Sequence, residues 1–489
     1  MKATRILSLL LAVLMLASSL AACSTGTDDP ADTNLKGTTA VNEEDTGPRD
    51  NLPANLNYKG DTITFITIDM SSDEISVEEL NSDPINDSVY ERNKFVESRL
   101  NVKFDTIISN SAGDYSAVEK VVTAVKSGSM EYDIVASPCY VVLDQSLSGT
   151  FANLTSSGYL EFDQPWWTQG FNEAVSYQGN QYAAVGSMLL SIYRFAFATV
   201  FNKNTFTNTN QTYLYEYVEN GTWTLDKQIS LIPVFHMDNG NGIQDATGDY
   251  YGLVSELNIY VDPFWASCEI DILAKDADGD FELVLDTNRL FDTAEKVIQL
   301  YYGTDKATFI GHAATTFSNG NSAMATIRIL DLEDSIMRNM DDAYGIVPMP
   351  RLTTDQDGYY STLHDAFTVV AVPTTVRGDR LDEVSAVLEA MGSASYRIVR
   401  PAYYETTLRT KLVSDPQSSE MMDMIIENIR TDAGYVYVYC LNGIHHVFRS
   451  VVDSGVNTII SDYKARQKGD QKTVKSLNTK LTRLADKNQ

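Results

Sequence analysis

DTITFITI at 61–68, VYERNKFVESRL at 89–100, VKFDTII at 102–108, YSAVEKVVTAVK at 115–126 and YDIVA at 132–136 are the segments that decide the fold class. The first is rich in β-branched residues and partly alternates apolar with polar, which reads as a strand. In the second, Val89, Phe95, Val96 and Leu100 lie amid charge, as on an amphipathic helix. The third is again strand-like. The fourth places Val118, Val121, Val122 and Val125 at helical spacing, and the fifth is a short apolar strand. The order β-α-β-α-β predicts a parallel sheet covered by helices. In such sheets ligands collect beyond the carboxyl ends of the strands.

Outward from this unit, 188–201 is apolar and aromatic and reads as a strand crossing between two lobes. The stretch 205–235 reads as helices and turns around Trp223. Strands are predicted at 323–330, 344–348 and 365–372, and helices at 290–302, 382–391 and 418–429. In 473–485, Val474, Leu477, Leu481 and Leu484 share one face, the pattern of a helix capping the surface. The chain has 489 residues, too many for one ordinary core, so two lobes are expected. Hydrophobic residues make up 43% and charged residues 21%, a composition that folds.

The net charge of −29 argues against nucleic acid and against an anionic membrane surface as electrostatic partner. The amino terminus carries Lys2 and Arg5, then an apolar run at 6–17, then Leu20-Ala21-Ala22-Cys23. The run is too short to span a bilayer comfortably and fits a signal peptide. Small residues before Cys23 are similar to a bacterial lipobox, which implies residues 1–22 as signal peptide, cleavage before Cys23 and acylation of its thiol. Residues 23–50 are expected to hold the lipidated cysteine and a flexible tether, since 24–50 has almost no large apolar residues. Four cysteines build no disulfide framework at this size and show no C-x-x-C spacing. Cys139, Cys268 and Cys440 read best as buried free thiols.

Further segments carry a resemblance. VYERNKFVESRLNVKF at 89–104, DQPWWTQGFNEAVSYQGNQYAA at 163–184, NK at 202–203 and GTWTLDK at 221–227 come in that order. YGIVPMPR at 344–351, AFTVVAVPTT at 366–375 and SYRIVRPAYYETTLRTK at 395–411 follow. Their order resembles the family 1 extracellular solute-binding proteins of ABC importers, within them the carbohydrate-associated lipoproteins of Gram-positive bacteria. The resemblance implies an α/β, two-lobed periplasmic-binding-protein-like fold with crossing hinge strands and an inter-lobe ligand cleft that closes on binding. Residues 51–185 and 315–365 would form lobe 1, and 186–314 and 366–489 lobe 2. It implies a monomer without enzymatic activity, anchored by lipid on the extracellular face. Such a protein captures a carbohydrate, an oligosaccharide above all, and delivers it to permease subunits. A secreted glycan-degrading enzyme and a surface glycan-binding lipoprotein without a transporter are the rival readings.

Sugars offer apolar C–H faces and a rim of hydroxyls, so a site needs flat aromatics and charged or amide groups. Trp265 follows a turn signal and is either a stacking floor or lobe core. Asp69 lies just past the first strand, as a ligand group or a solvated loop acid. Arg328 breaks an uncharged run and either enters the cleft or lies on a solvated edge. Asp365 precedes a return strand, and Tyr404 lies on the late segment beside Tyr403. Trp223, and at least one of Trp166 and Trp167, read as packing. DNGNGIQDATGD at 238–249 is similar to a calcium loop, with Asp238, Asn241, Asp245 and Asp249 as candidate ligands. No single register supplies all the ligand positions of such a loop. No organic cofactor is expected. G-x-S-x-G, H-E-x-x-H and G-x-x-x-x-G-K-[ST] are all missing. Only five histidines occur, and His445 and His446 are adjacent. Adjacent side chains point about 100° apart on a helix and to opposite faces of a strand, which makes them a poor metal pair.

Overall fold

A computed structural model describes residues 47–109, 113–246, 248–409 and 416–487. The expected signal peptide, Cys23 and the tether up to residue 46 lie outside the described residues. The end of the expected tether is already held by the body: Asp50 pairs with Arg99, and its backbone N–H donates to Ser393 Oγ at 3.0 Å.

The first sheet contains β1 (Asp61–Ile68), β2 (Val102–Ser109) and β3 (Ile134–Pro138). β1 pairs in parallel with both β2 and β3, with Phe65 opposite Ile134 and Thr106. The predicted βαβαβ order is therefore observed, with helices α1 (Pro84–Leu100) and α2 (Ser116–Ser127) as the crossovers. Asp83 caps α1 by accepting from the backbone of Ile85 and Asn86, with Pro84 in the first turn, where a missing N–H costs nothing. Gly128 ends α2 in the left-handed conformation at φ 74°. The chain leaves β1 for β2 on one side and returns to β3 on the other, so β1 and β3 flank the switch point where such sheets open a crevice.

The second sheet has the order β10-β4-β9-β5-β8, from β4 (Phe197–Asn202), β5 (Leu253–Ser255), β8 (Thr308–Ile310), β9 (Met324–Arg328) and β10 (Tyr344–Val347). β5, β8 and β9 run parallel, whereas β4 is antiparallel to both β9 and β10. A small hairpin joins β6 (Leu273–Lys275) to β7 (Phe281–Leu283). β11 (Thr368–Ala371) returns to the first sheet, antiparallel to β3.

These pairings redraw the expected lobes. Residues 324–328 and 344–347, expected in lobe 1, lie in the second sheet, and 368–371, expected in lobe 2, lie in the first. Helix α4 (Asp379–Arg397) packs on α1 and so belongs with the first sheet too. The outward crossover is a helical turn at Ser191–Arg194 followed by β4, not one continuous strand over 188–201. It runs beside the return crossover: Ala196 bridges Leu363, and His364 N donates to Phe195 O at 3.0 Å.

Buried polar groups fix both crossovers. The fully buried Arg92 on α1 donates to Met188 O at 2.9 Å, Glu74 O at 3.0 Å and Ile75 O at 3.1 Å. Glu74, also buried, accepts from Ser191 N at 2.8 Å and Thr368 Oγ1 at 2.7 Å. One guanidinium and one carboxylate thus saturate the polar backbone where the chain changes sheet. Further along, α3 (Thr287–Tyr302) and α5 (His446–Ser454) pack together, and the long C-terminal helix α6 (Ile459–Lys487) covers α3 and β7. Val474, Leu477, Leu481 and Leu484 are its buried face, as their spacing predicts. Trp166, Trp167 and Trp223 are core, and Cys139, Cys268 and Cys440 are free thiols.

Candidate functional site

The carboxyl ends of β1, β5, β8 and β9 are followed by residues that line two cavities. The first, ≈ 260 Å³, is lined from the first-sheet side by Asp73 and Asn86 and from the second by Glu333 and Arg338. Arg194, from the crossover, stands between them: its Nη1 meets Asp73 Oδ2 at 2.8 Å and its Nε donates to Glu333 Oε1 at 2.9 Å. The second cavity, ≈ 390 Å³, lies at the ends of β5 and β9 and is lined by Glu256, Tyr260, His312, Arg328, Asp331 and Asp334, among others. Arg328 Nη2 is 3.8 Å from Asp331 Oδ1, and Tyr260 Oη donates to Asp331 Oδ2 at 3.3 Å. Burial pushes the Asp331 carboxyl above its ordinary value against the pull of Arg328.

From Arg328 a chain of contacts leads to a third cluster. Arg328 lies 5.8 Å over the Phe195 ring, whose centroid is 5.7 Å from that of His364. His364 Nε2 is 3.3 Å from Asp365 Oδ1, and Asp365 Oδ2 is 3.6 Å from Arg449 Nη2 and 3.9 Å from His445 Nε2. Arg449 is bidentate on the wholly buried Asp262, with Nε to Oδ1 at 2.6 Å and Nη2 on Oδ2, and Tyr435 Oη donates to the same Oδ2 at 2.9 Å. Even so, burial pushes Asp262 up to about 6. Burial also holds the three imidazoles neutral, aided by the nearby guanidinium charges. His364 is pushed down to about 3, His446 to about 4, and His445 well below its usual value.

An aromatic surface adjoins this cluster. Tyr140 stands between Tyr115 and Tyr439, with ring centroids 6.1 and 5.3 Å apart. Tyr140 Oη donates to Asp114, and burial first, with a smaller push from the Asp114 charge, raises the Asp365 carboxyl against the pull of Arg449. Tyr439 is 51% exposed and Tyr115 37%, so both offer ring faces to solvent.

The structure unites some of the expected site residues and separates others. Arg328 and Asp365 are joined through Phe195 and His364, and Arg328 faces the larger cavity. Asp365 is engaged within the protein through both oxygens. Asp69 opens an exposed turn at the end of β1, and Asp73, four residues on, is the carboxylate that reaches Arg194. Trp265 corrects the stacking-floor expectation. It is 4% exposed and meets Phe448 edge-on at 5.5 Å, because the turn at Pro263–Ser267 directs it under α5. Tyr404 is likewise displaced by its neighbour. It packs edge-on against Tyr193, while Tyr403 stacks on Tyr193 at 5.3 Å and donates to Glu333 Oε1 at 2.9 Å.

In the 238–249 loop each candidate calcium ligand accepts from a backbone N–H. Asp238 accepts from Gly240 N, Asn241 from Ile243 N at 2.7 Å, Asp245 from Gly248 N and Asp249 from Asn239 N at 3.1 Å. Among the described residues, the three side chains of His, Cys, Asp or Glu that converge on one point are Asp365, His445 and His446. The adjacent histidines thus do meet, with ring centroids 4.3 Å apart at 68°. Reasoning from sequence missed Tyr115, Tyr140, Tyr439 and the Asp262–Arg449 pair. The only local signal was the tyrosine run at 435–439.

No protein-family model matches the sequence, and no curated protein matches it. Solved structures do match over nearly their whole length. The maltose/maltodextrin-binding domain MalE of Bdellovibrio bacteriovorus, bound to maltotriose, has a TM-score of 0.52 at 15% identity, covering 85% of this chain and 99% of its own. The fold is that of the two-lobed ABC substrate-binding proteins. UgpB of Mycobacterium tuberculosis, in complex with glycerophosphocholine, gives 0.51 at 14% identity, with 87% of this chain and 98% of its own covered. The ABC substrate-binding protein Lmo0181 of Listeria monocytogenes, in complex with cycloalternan, gives 0.50 at 14% identity, with 86% and 99% covered. In this substrate-binding fold, the two cavities and the tyrosine surface of the present chain lie where its sheets present their carboxyl ends.

Proposed function

We propose that this chain is a lipid-anchored extracellular solute-binding protein that captures a carbohydrate, above all an oligosaccharide, and hands it to the permease of an ABC importer by hinge closure. The observation that carries the reading is the cavity bearing Arg328, Asp331 and Tyr260 at the strand ends of a substrate-binding fold. Arg328 and Asp331 supply the charge-assisted hydrogen bonds that sugar hydroxyls need. Tyr439 and Tyr115, not Trp265, supply ring faces for stacking. Asp73, Arg194 and Glu333 tie the first-sheet side to the second and would hold the closed form. The acidic lining disfavours an anionic ligand. The fold's likeness to proteins solved with maltotriose and cycloalternan supports the substrate class. A binding role without turnover agrees with that likeness. Cys23, when acylated, supplies the membrane anchor, since acyl chains carry most of the membrane affinity of such proteins.

The experiment is a titration of residues 23–489 against neutral oligosaccharides, followed by calorimetry and by product analysis. Saturable binding without cleavage is expected, and cleavage of the bound glycan would replace this reading with the enzymatic one. For the anchor, Cys23→Ser should move the protein out of the membrane fraction, and its retention there would remove the lipoprotein reading.

A further inference from the structure

His445 is wholly buried, and neither of its ring nitrogens has a hydrogen-bond partner. An imidazole in that position is costly unless something else satisfies it. Its nearest polar neighbours do not do so by hydrogen bonding. Asp365 Oδ2 is 3.9 Å from Nε2, and His446 presents a second imidazole at a centroid distance of 4.3 Å. A separation of 3.9 Å is too long for a hydrogen bond. In a four-coordinate site with bonds of about 2.0–2.2 Å the ligand atoms stand about 3.3–3.6 Å apart, so a shift of a few tenths of an ångström brings these two atoms onto one ion. One ligand atom from each of Asp365, His445 and His446 lies within 4.8 Å of the other two.

We propose that Asp365, His445 and His446 form a binding site for a divalent transition-metal ion of the zinc class. The donor set decides the class: two imidazoles and one carboxylate suit zinc and its first-row neighbours, whereas calcium and magnesium take oxygen. The local charge permits a cation. Arg449 is close to Asp365 and Arg466 acts on His446, but Arg449 already forms two hydrogen bonds to Asp262 and Arg466 is paired with Asp470, so three carboxylates face two guanidiniums. Three protein ligands leave a coordination position for water. His446 is half-buried, whereas His445 is wholly buried. Asp365 belongs to the return crossover and the histidines to the start of α5. A bound ion would therefore tie the crossover to that helix, which is separate from the carbohydrate reading and does not depend on it.

The test uses residues 23–489 stripped of metal and titrated with Zn²⁺ alone and with Co²⁺ alone. One equivalent of each is expected to bind. Zn²⁺ should raise the melting temperature, and Co²⁺ should give the visible absorption of a four-coordinate ion with nitrogen and oxygen ligands. The Co²⁺ form should also show two strongly shifted imidazole N–H proton resonances, a readout that needs no substitution. His446→Ala and Asp365→Asn, checked first for unchanged metal-free folding, should each lower Zn²⁺ affinity by tenfold or more. Absence of stoichiometric binding, absence of shifted imidazole resonances, or full affinity in both variants would overturn the proposal.

Discussion

Arg194 and Arg449 are each set between two carboxylates, yet they do different work. Arg194 joins Asp73, behind β1, to Glu333, behind β9, and Asp73 is 52% exposed. Arg449 is bidentate on Asp262, whose side chain is 0% exposed, and reaches Asp365 only at 3.6 Å. One arginine spans a cavity wall between the two sheets. The other neutralises a charge sealed inside the body. Ion pairs of similar geometry differ in what it costs to break them according to the burial of their carboxylates, since desolvation sets that cost.

The largest expected effect breaks the buried pair. Arg449→Met leaves Asp262 sealed without its counter-charge and should lower unfolding free energy by about 3–5 kcal/mol, measured by urea denaturation. A loss near that of an exposed pair would contradict the scaffold role. Trp265→Ala should cost a similar amount, about 3–5 kcal/mol, because it empties a core site beside Phe448. Unchanged stability together with lost ligand affinity would return Trp265 to the binding surface. On the cavity side, Arg328→Met should weaken ligand binding by about 1.5–3 kcal/mol, the range for a hydrogen bond to a charged group, while the melting temperature holds.

A buried carboxylate without an arginine sharpens the contrast. Glu389 is 1% exposed, accepts from Trp167 Nε1 at 2.9 Å, and is pushed by burial from 4.5 to about 7. Between those values the folded chain keeps a proton that the unfolded chain has released. Stability from this group is therefore full below about 4.5 and falls as pH rises through about 7. Glu389→Gln should flatten the decline of melting temperature across that window, and an unaltered slope would refute the assignment. The smallest effect belongs to the half-exposed partner. Asp73→Asn should change stability by less than about 1 kcal/mol, yet shift the scattering radius of the unliganded protein toward the open form.

Sequence and structure agree most closely where elements are consecutive. Residues 61–136 fold as their periodicity predicts, because each strand finds its partner across one helix. The second sheet was less legible: Leu253–Ser255 and Thr308–Ile310 are three-residue strands, too short to show a period. Misplacing 324–347 and 368–371 has another root, since the consecutive strands β10 and β11 enter different sheets. At the site, Arg328 was visible as a charge interrupting an apolar run. Asp365 was visible ahead of a predicted return strand, but its partners Asp262, His445 and Arg449 come from distant segments, and nothing in local spacing announces them. Tyr435, Tyr437 and Tyr439 alternate like a strand but lie in a helical turn and its continuation. The first two are buried there, and the third reaches solvent.

Carbohydrate capture by hinge closure is tested most directly by calorimetric titration of residues 23–489 with a panel of neutral oligosaccharides, with small-angle scattering of the same samples. At least one member should bind saturably, contract the protein, and lose affinity in Arg328→Met. Binding only by a non-carbohydrate solute, or carbohydrate binding that neither contracts the protein nor depends on Arg328, would contradict it.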